Sequence, residues 1–296
     1  MTDNNNHNST PVHEIVRREG GKRIKSMPVR RLEQDRPLIT VVTIVYNDRE
    51  GLRKTIESVL GQTYQNIEYI IIDGASTDGT LDILEKYDDS IDYWISEPDK
   101  GIYDAMNKGI RHASGEWINF MNASDRFYRP DVLGSLFNQG YITADLIYGH
   151  HECRYSRSLS VIKQAYSEQE LVHLWQGMPF RHQTLFMKTS ILKERPLDTT
   201  FQVGADFESI YHAYRHGHTF KNSNIVIATI TAIGYSHKHL LLGNLELWKL
   251  NRKCRPSSEV DLFFARKHLT TLMKLIVKAL LPNELLERFL RLKHQM

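Results

Sequence analysis

The sequence predicts an α/β fold: three α/β/α layers around a mainly parallel, Rossmann-like sheet, with a helical extension at the C-terminus. Three observations carry that expectation. From Pro37 onward, short apolar runs alternate with segments whose apolar residues recur at helical spacing, the pattern of parallel strands joined by crossover helices. The runs Tyr69-Ile70-Ile71-Ile72 and Trp117-Ile118-Asn119-Phe120-Met121 show little alternation, as strands covered on both faces do. Each run stops at a polar turn bearing carboxylates, Asp73-Gly74-Ala75-Ser76-Thr77-Asp78-Gly79-Thr80 and Asn122-Ala123-Ser124-Asp125. In an open α/β sheet, that carboxyl edge is where ligands bind.

Residues 1–36 are expected to form a flexible basic arm, Asn-rich at the start, basic from Arg17 to Arg36 and interrupted by Gly20-Gly21. Residues 37–250 form the main domain, in halves of 37–128 and 129–250. Ile39 to Tyr46 is the first strand, followed by a helix carrying Leu52, Ile56, Val59 and Leu60. Ile67 to Ile72 is the second strand, and a helix bearing Leu81, Ile83 and Leu84 begins near Asp78. Ile91 to Ile95 is a strand, Ile102 to Ala113 a helix, Glu116 to Met121 a strand and Asp131 to Phe137 a helix. After Asp145-Leu146-Ile147-Tyr148-Gly149 the order is less regular, with strands expected at Leu185–Lys188 and Ile225–Ile230 and a helix over Asp206–His216.

Residues 251–296 read as an amphipathic helical tail. Leu269, Leu272, Met273, Ile276 and Leu280 repeat at helical spacing, with Lys267, Lys274 and Lys278 on the other side. Pro282-Asn283 breaks the helix before a second segment with Leu285, Leu286, Phe289 and Leu290, flanked by Arg288, Arg291 and Lys293. Such basic amphipathic helices lie in a membrane interface or pack on the domain or on a second subunit.

Bulk properties exclude several classes. The 296 residues are 41% hydrophobic, enough for a sizeable core, and the formal charge of +3 is too weak to argue for nucleic acid as a partner. The two cysteines, Cys153 and Cys254, lack the spacing of a zinc site or a disulfide framework, which fits a reducing cytoplasm. Met1 to Thr10 is polar where a secretory signal needs an apolar core, and no apolar stretch reaches the ~18 residues of a spanning helix.

With Ile39–Asn47 upstream and Glu97-Pro98-Asp99-Lys100-Gly101-Ile102-Tyr103-Asp104-Ala105-Met106-Asn107 between the two carboxylate turns, the sequence closely resembles inverting family-2 glycosyltransferases of the GT-A fold. The resemblance covers roughly residues 38–250 and is strongest from 40 to 128, making 37–128 the nucleotide-sugar-binding half and 129–250 the acceptor half. It implies that Tyr46, Asn47, Asp73, Ser76 and Asp78 cradle the nucleobase and ribose. A tyrosine ring offers a stacking face and a carboxylate accepts from a ring N–H. Asp78, with Thr77, also stands where a helix cap is wanted. Lys100 and Asn107 match the family's donor-side loop and helix, a lysine acting as a point charge near a diphosphate.

The chain departs from the Asp-x-Asp motif common in this fold. Asn122-Ala123-Ser124-Asp125 resembles the Asn-x-x-Asp variant of a capsule and exopolysaccharide branch of the colanic-acid type. That leaves Asp125 as the main ligand for Mg²⁺ or Mn²⁺, with Asn122 as a neutral oxygen donor and His237 completing the shell. Asp206 resembles the family's catalytic base, Glu208 being the alternative. His182 and Gln183 match a signature that would orient a phosphate or an acceptor hydroxyl.

The function implied is inverting transfer of a hexose or deoxyhexose from a UDP- or GDP-sugar to a saccharide, free or linked to polyprenyl diphosphate, at the inner face of the cytoplasmic membrane. The missing first aspartate keeps a non-catalytic nucleotide-sugar-binding or scaffold protein as the alternative. A sugar-1-phosphate nucleotidyltransferase would need a Gly-rich, Arg/Lys-bearing triphosphate loop that Tyr46-Asn47-Asp48-Arg49 does not provide.

Overall fold

The computed structural model describes residues 17–26, 36–138, 142–156, 159–231 and 239–280, the last with side chains through Val277. Ten strands form one sheet: β1 (Arg18–Gly20), β2 (Ile39–Val45), β3 (Ile67–Asp73), β4 (Tyr93–Ser96), β5 (Trp117–Phe120), β6 (Arg126–Phe127), β7 (Leu146–Arg154), β8 (Ser160–Lys163), β9 (Leu185–Lys188) and β10 (Phe220–Thr231). Their order is β1-β4-β3-β2-β5-β9-β7-β10-β6, with β8 on β7. The β4-β3-β2-β5 core is parallel throughout, as is β7 with β10, whereas β9 runs antiparallel between β5 and β7.

The helices are α1 (Arg49–Leu60), α2 (Thr80–Lys86), α3 (Ile102–His112), α4 (Val132–Phe137), α5 (Thr189–Glu194), α6 (Ala205–Arg215), α7 (Leu240–Cys254) and α8 (Ser258–Leu280). Alternating strand residues feed the two faces of the sheet. Val41, Tyr69 and Ile71 meet Leu52 and Ile56 of α1 and Leu84 of α2 on one side. Val42, Ile70 and Ile72 meet Met106 and Ile110 of α3 and Phe207 and Ile210 of α6 on the other. The seven residues of β2, every one β-branched, are all buried. A Cβ at Gly109 would lie 2.4 Å from Val42 Cγ1, so glycine is what lets α3 press onto β2.

The expected α/β/α arrangement and its crossover helices are present. In the second half, β7 and β8 extend well beyond the expected apolar stub at 145–149, and β10 is longer than expected. Its first residues include polar Lys221, Asn222 and Asn224, and the register shifts between Asn222 and Val226 hide it from period-two reading.

Part of the expected flexible arm is instead an edge strand. β1 pairs antiparallel with β4, and the backbone N–H groups of Lys22 and Arg23 donate to the Ile91 and Asp92 carbonyls at 3.0 Å. Arg23 reaches the buried Glu68, Arg18 pairs with Glu85, and Lys25 meets Asp88 at 2.7 Å. The basic residues expected in a flexible arm are matched to acidic groups along an edge that needs a hydrogen-bonding partner. The rest of the arm, 1–16 and 27–35, lies outside the described residues, as does the second tail helix, 281–296.

The expected boundary at 250 falls inside α7, whose Glu246 accepts from the N–H groups of Gln202, Val203 and Gly204 at 2.7, 3.0 and 3.0 Å. α8 buries Val260 and Phe264 against the body and leaves Leu269, Leu272, Met273, Ile276 and Val277 each about half exposed. No helix among the described residues is long and apolar enough to cross a membrane.

Candidate active site

The polar loops after β2, β3 and β5 lie side by side because those strands are neighbours. Three of the five non-glycine residues with positive φ among the described residues are Asn47, Ala75 and Ser124, one in each loop. Left-handed backbone outside glycine is uncommon and concentrates at functional sites.

Asp73 ends β3 fully buried. Its Oδ1 accepts from the Ser76 hydroxyl, and its Oδ2 accepts from Ser96 Oγ at 2.6 Å and Ser76 N at 3.1 Å. Ser76 Oγ accepts from the Asn47 N–H at 2.7 Å, and Asn47 Oδ1 accepts from the Thr77 N–H at 2.8 Å. These two loops are thus tied together beneath Tyr46, which is 68% exposed. Asp78 accepts from Arg49 N (2.9 Å), Thr80 N (3.1 Å) and the Thr80 hydroxyl. Although burial pushes the other way, these donors hold its carboxyl below the ordinary value. The capping role is the one its contacts describe.

Asn107 is a correction to the donor set. Its Nδ2 donates to the Leu197 carbonyl at 2.8 Å and its Oδ1 accepts from the Leu197 N–H at 2.9 Å, so both ends of the buried amide pin the 196–198 loop. Lys100 is exposed at its loop tip, with its backbone N–H on Asp104 at 3.0 Å.

The β5 turn joins this rim through Ser124, whose hydroxyl donates to Asp48 at 2.7 Å, while Asp48 also caps α1. Asp125, 7% exposed, accepts from Gln183 Nε2 at 2.7 Å. Burial pushes its carboxyl up to about 6, an increase limited by the Gln183 hydrogen bond, the Thr231 N–H and the Arg181 charge. Asn122 Oδ1 and Gln183 Oε1 are buried without a hydrogen-bond partner among the described residues. One carboxylate beside unpaired amide oxygens is a donor set that suits Mg²⁺ or Mn²⁺ together with substrate phosphates. No group of three His, Cys, Asp or Glu side chains among the described residues converges on a metal position, and His237 lies outside them.

From this turn a line of hydrogen bonds reaches Asp206. Asn122 Nδ2 lies 3.0 Å from His182 Nε2, and His182 Nδ1 lies 3.1 Å from Asp206 Oδ2. An amide nitrogen only donates, so Nε2 accepts, the ring proton sits on Nδ1, and the ring donates to the carboxylate. Asp206 Oδ1 accepts from Phe207 N at 2.8 Å and lies 3.2 Å from Tyr103 Oη, whose single proton is shared with the nearer Val203 carbonyl. Burial raises the Asp206 carboxyl, but the hydrogen bond from His182, with Phe207 and Tyr103, holds it below the ordinary value. Its side chain keeps 19% exposure, leaving room for one more donor. Asp206 and His182 themselves line a mainly apolar cavity of about 30 Å³, together with Met106, Phe120, Leu192 and Ile210. Glu208, the alternative base, is bound on both oxygens by Arg195 at 2.6 and 2.8 Å.

With this geometry in view, the sequence model described as Glycosyl transferase family 2 matches residues 40–194, just over half the chain. The chain belongs to that family. An uncharacterized glycosyltransferase of Mycobacterium tuberculosis is 48% identical over 98 residues, 33% of this chain and 37% of that relative, so the match spans well under half of the relative's length. Among solved structures, Staphylococcus aureus TarS 1–349 in complex with UDP-GlcNAc is similar at a TM-score of 0.56 and 16% identity, over 78% of this chain and 71% of that one. The mannosyltransferase PcManGT from Pyrobaculum calidifontis, in complex with GDP-Man and Mn²⁺, is similar at a TM-score of 0.57 and 18% identity, over 80% and 70%. At these identities the likeness shows the GT-A fold.

Within this family-2 chain the structure joins Asn47, Asp73, Ser76, Asn122, Asp125, His182, Gln183 and Asp206 into one rim, with Tyr46 above it. Four contributors were not singled out from the sequence. Tyr103 touches Asp206, Glu246 holds the 202–204 loop, and Asn119 Nδ2 donates to the Gln183 and Leu185 carbonyls at 3.0 and 2.8 Å. Asp99 is the fourth. An asparagine inside a fully buried strand was the one available signal for Asn119, because such a side chain must be satisfied across strands.

Proposed function

We propose that this chain is an inverting glycosyltransferase that moves a hexosyl or deoxyhexosyl group from a UDP- or GDP-sugar to a saccharide hydroxyl in bacterial surface polysaccharide synthesis. The observation that carries the proposal is the continuous line from Asp125 and Asn122 through His182 to Asp206. It sets an ionised carboxylate with one open acceptor position beside the oxygen-rich end of the sheet. Asp206 takes the proton of the acceptor hydroxyl; that oxygen bonds to the anomeric carbon as the carbon–oxygen bond to the nucleoside diphosphate breaks on the opposite face. His182 holds the carboxylate in place, and Tyr103 fixes its other oxygen. Asp125, Asn122 and Gln183 would hold Mg²⁺ or Mn²⁺, which neutralises charge on the departing diphosphate.

The same proposal places the chain peripherally on the inner face of the cytoplasmic membrane, where a polyprenyl-diphosphate-linked acceptor would be presented. Support comes from the outer face of α8, apolar over several turns, and from the absence of any acidic residue between Leu262 and Leu280, a stretch that carries Arg266, Lys267, Lys274 and Lys278.

Transfer and donor hydrolysis with and without Mn²⁺ test the reading. Asp206→Asn is expected to lower kcat by roughly 10²–10⁴-fold, the usual range for losing a general base, with nucleotide binding by calorimetry unchanged. Wild-type protein that binds donor but neither hydrolyses nor transfers it across a broad acceptor panel would leave the non-catalytic alternative standing.

A further inference from the structure

Four carboxylates, Asp73, Asp78, Asp99 and Asp104, stand at or shortly after the C-terminal ends of β3 and β4. Both oxygens of Asp73 are occupied by Ser76 and Ser96, both oxygens of Asp78 by Arg49 and Thr80, and Asp104 Oδ2 by the Lys100 N–H. Asp99 differs. Its Oδ1 accepts from the Gly101 N–H at 2.8 Å, while its Oδ2 has no hydrogen-bond partner among the described residues.

That free oxygen is held in a defined place. A Cβ built on Gly74 would lie 2.6 Å from Asp99 Oδ2 and 3.2 Å from Tyr46 Cδ2. The missing side chain at Gly74 therefore leaves the oxygen against the end of β3, beside the aromatic ring. The Asp99 loop is anchored on both sides: the Glu97 N–H donates to the Asp73 carbonyl at 3.0 Å, and Lys108 Nζ donates to the Pro98 carbonyl at 2.7 Å. Burial, followed by the Asp104 and Asp73 charges, holds the Asp99 carboxyl above its ordinary value despite the Gly101 N–H and the Lys108 charge. An incoming N–H would supply the donor that this carboxylate lacks.

We infer that Asp99 is the residue that reads the nucleobase, accepting a hydrogen bond from a ring N–H flanked by a carbonyl, with the base against the Tyr46 ring. Uracil (N3–H) and guanine (N1–H) carry that group; cytosine and adenine present a bare ring nitrogen there and would face the carboxylate lone pair to lone pair. The inference rests on the nucleotide-sugar reading and moves specificity away from Asp73 and Asp78, which shape the backbone around it.

The test is calorimetric binding of UDP, GDP, CDP and ADP at one fixed Mn²⁺ concentration, so that the shared diphosphate cancels in the affinity ratios. Wild type is expected to favour UDP or GDP over CDP and ADP by roughly tenfold or more, the scale of a hydrogen bond to a charged group. The UDP and GDP arms tell which base is used. Asp99→Asn, whose amide can donate to cytosine N3, is expected to erase most of that preference and to gain affinity for CDP. Gly74→Ala keeps the carboxylate but displaces it, and is expected to weaken UDP or GDP without the gain for CDP; melting curves check the folding of both variants. If Asp99→Asn keeps the wild-type UDP:CDP and GDP:CDP ratios, Asp99 is not the reader and nucleotide binding itself stands. Wild type that binds none of the four would overturn this inference and the proposed function together.

Discussion

Asp125 illustrates how a single residue sets function against stability. Its carboxyl is buried beside Gln183 and titrates near about 6 in the folded chain, whereas in the unfolded chain it titrates near the ordinary value of 3.8. The folded state therefore holds the proton more tightly. As pH rises from about 4 through 6 the unfolded chain ionises first, and the fold loses on the order of 2–3 kcal/mol, a penalty that persists at higher pH. Asp125→Asn removes that penalty. The expected outcome in urea unfolding without divalent cation is a variant more stable than wild type at pH 8 by about that amount, with the gap closing toward pH 4. Equal stabilities at both pH values would show that the carboxyl is not strained. Adding Mn²⁺ with UDP should stabilise wild type more than the variant, because a ligand that binds only the folded state stabilises it by mass action. Neighbouring residues sort in the same physical terms. Asp206 and Glu208 are two positions apart near the start of one helix, and the bidentate Arg195 pair that occupies both oxygens of Glu208 is the reason Asp206 is the base proposed above.

At the scale of elements, β1 is the clearest case of structure arising where a flexible arm was expected. A segment of three strand residues has little intrinsic stability; here it pairs with β4, and the cations in and just after it meet acids on β3, on α2 and in the loop between α2 and β4. Glu68 is the centre of that arrangement, accepting from Arg23, the Thr40 hydroxyl, and the Ser114 hydroxyl and N–H. Arg23→Ala strips one donor from a carboxylate that is only 5% exposed and is expected to cost about 1–3 kcal/mol. Arg23→Ala combined with Glu68→Gln should cost less than the sum of the single changes, a coupling that a double-mutant unfolding cycle measures. Additive losses would mean that the pair does not interact. The first half of the chain was legible because β2, β3 and β5 are predominantly apolar and their helices are regular. In the second half, β10 starts with polar residues and β9 enters antiparallel between β5 and β7. Those arrangements follow from pairing with distant strands, which local period does not encode.

For the whole molecule, α8 presents two opposite apolar faces, and only one of them packs on the body. Leu269, Met273 and Ile276 belong to the outer face, so replacing all three by Gln should leave unfolding stability nearly unchanged, within about 0.5 kcal/mol per site, as is usual for exposed positions. The same change is expected to abolish most sedimentation with vesicles containing phosphatidylglycerol, and wild-type binding should weaken as salt rises or on neutral vesicles. Unaltered vesicle binding by the triple variant would rule out this face as the contact. A wild-type dimer lost in the variant would assign the face to a second subunit instead.

The sequence by itself determined the α/β class, the carboxylate-bearing ends of β3 and β5, and the family's motifs in their order, because those depend on local apolar runs and on turn residues within a few positions of one another. Tertiary structure alone decided which polar atoms are already taken. Asp73, Asp78, Asn107 and Glu208 are satisfied by partners brought in by folding, while Asp99 Oδ2, Asn122 Oδ1 and Gln183 Oε1 have none among the described residues. A side chain's chemistry is written in its type, but its remaining capacity to bind is set by neighbours that the chain supplies from far away.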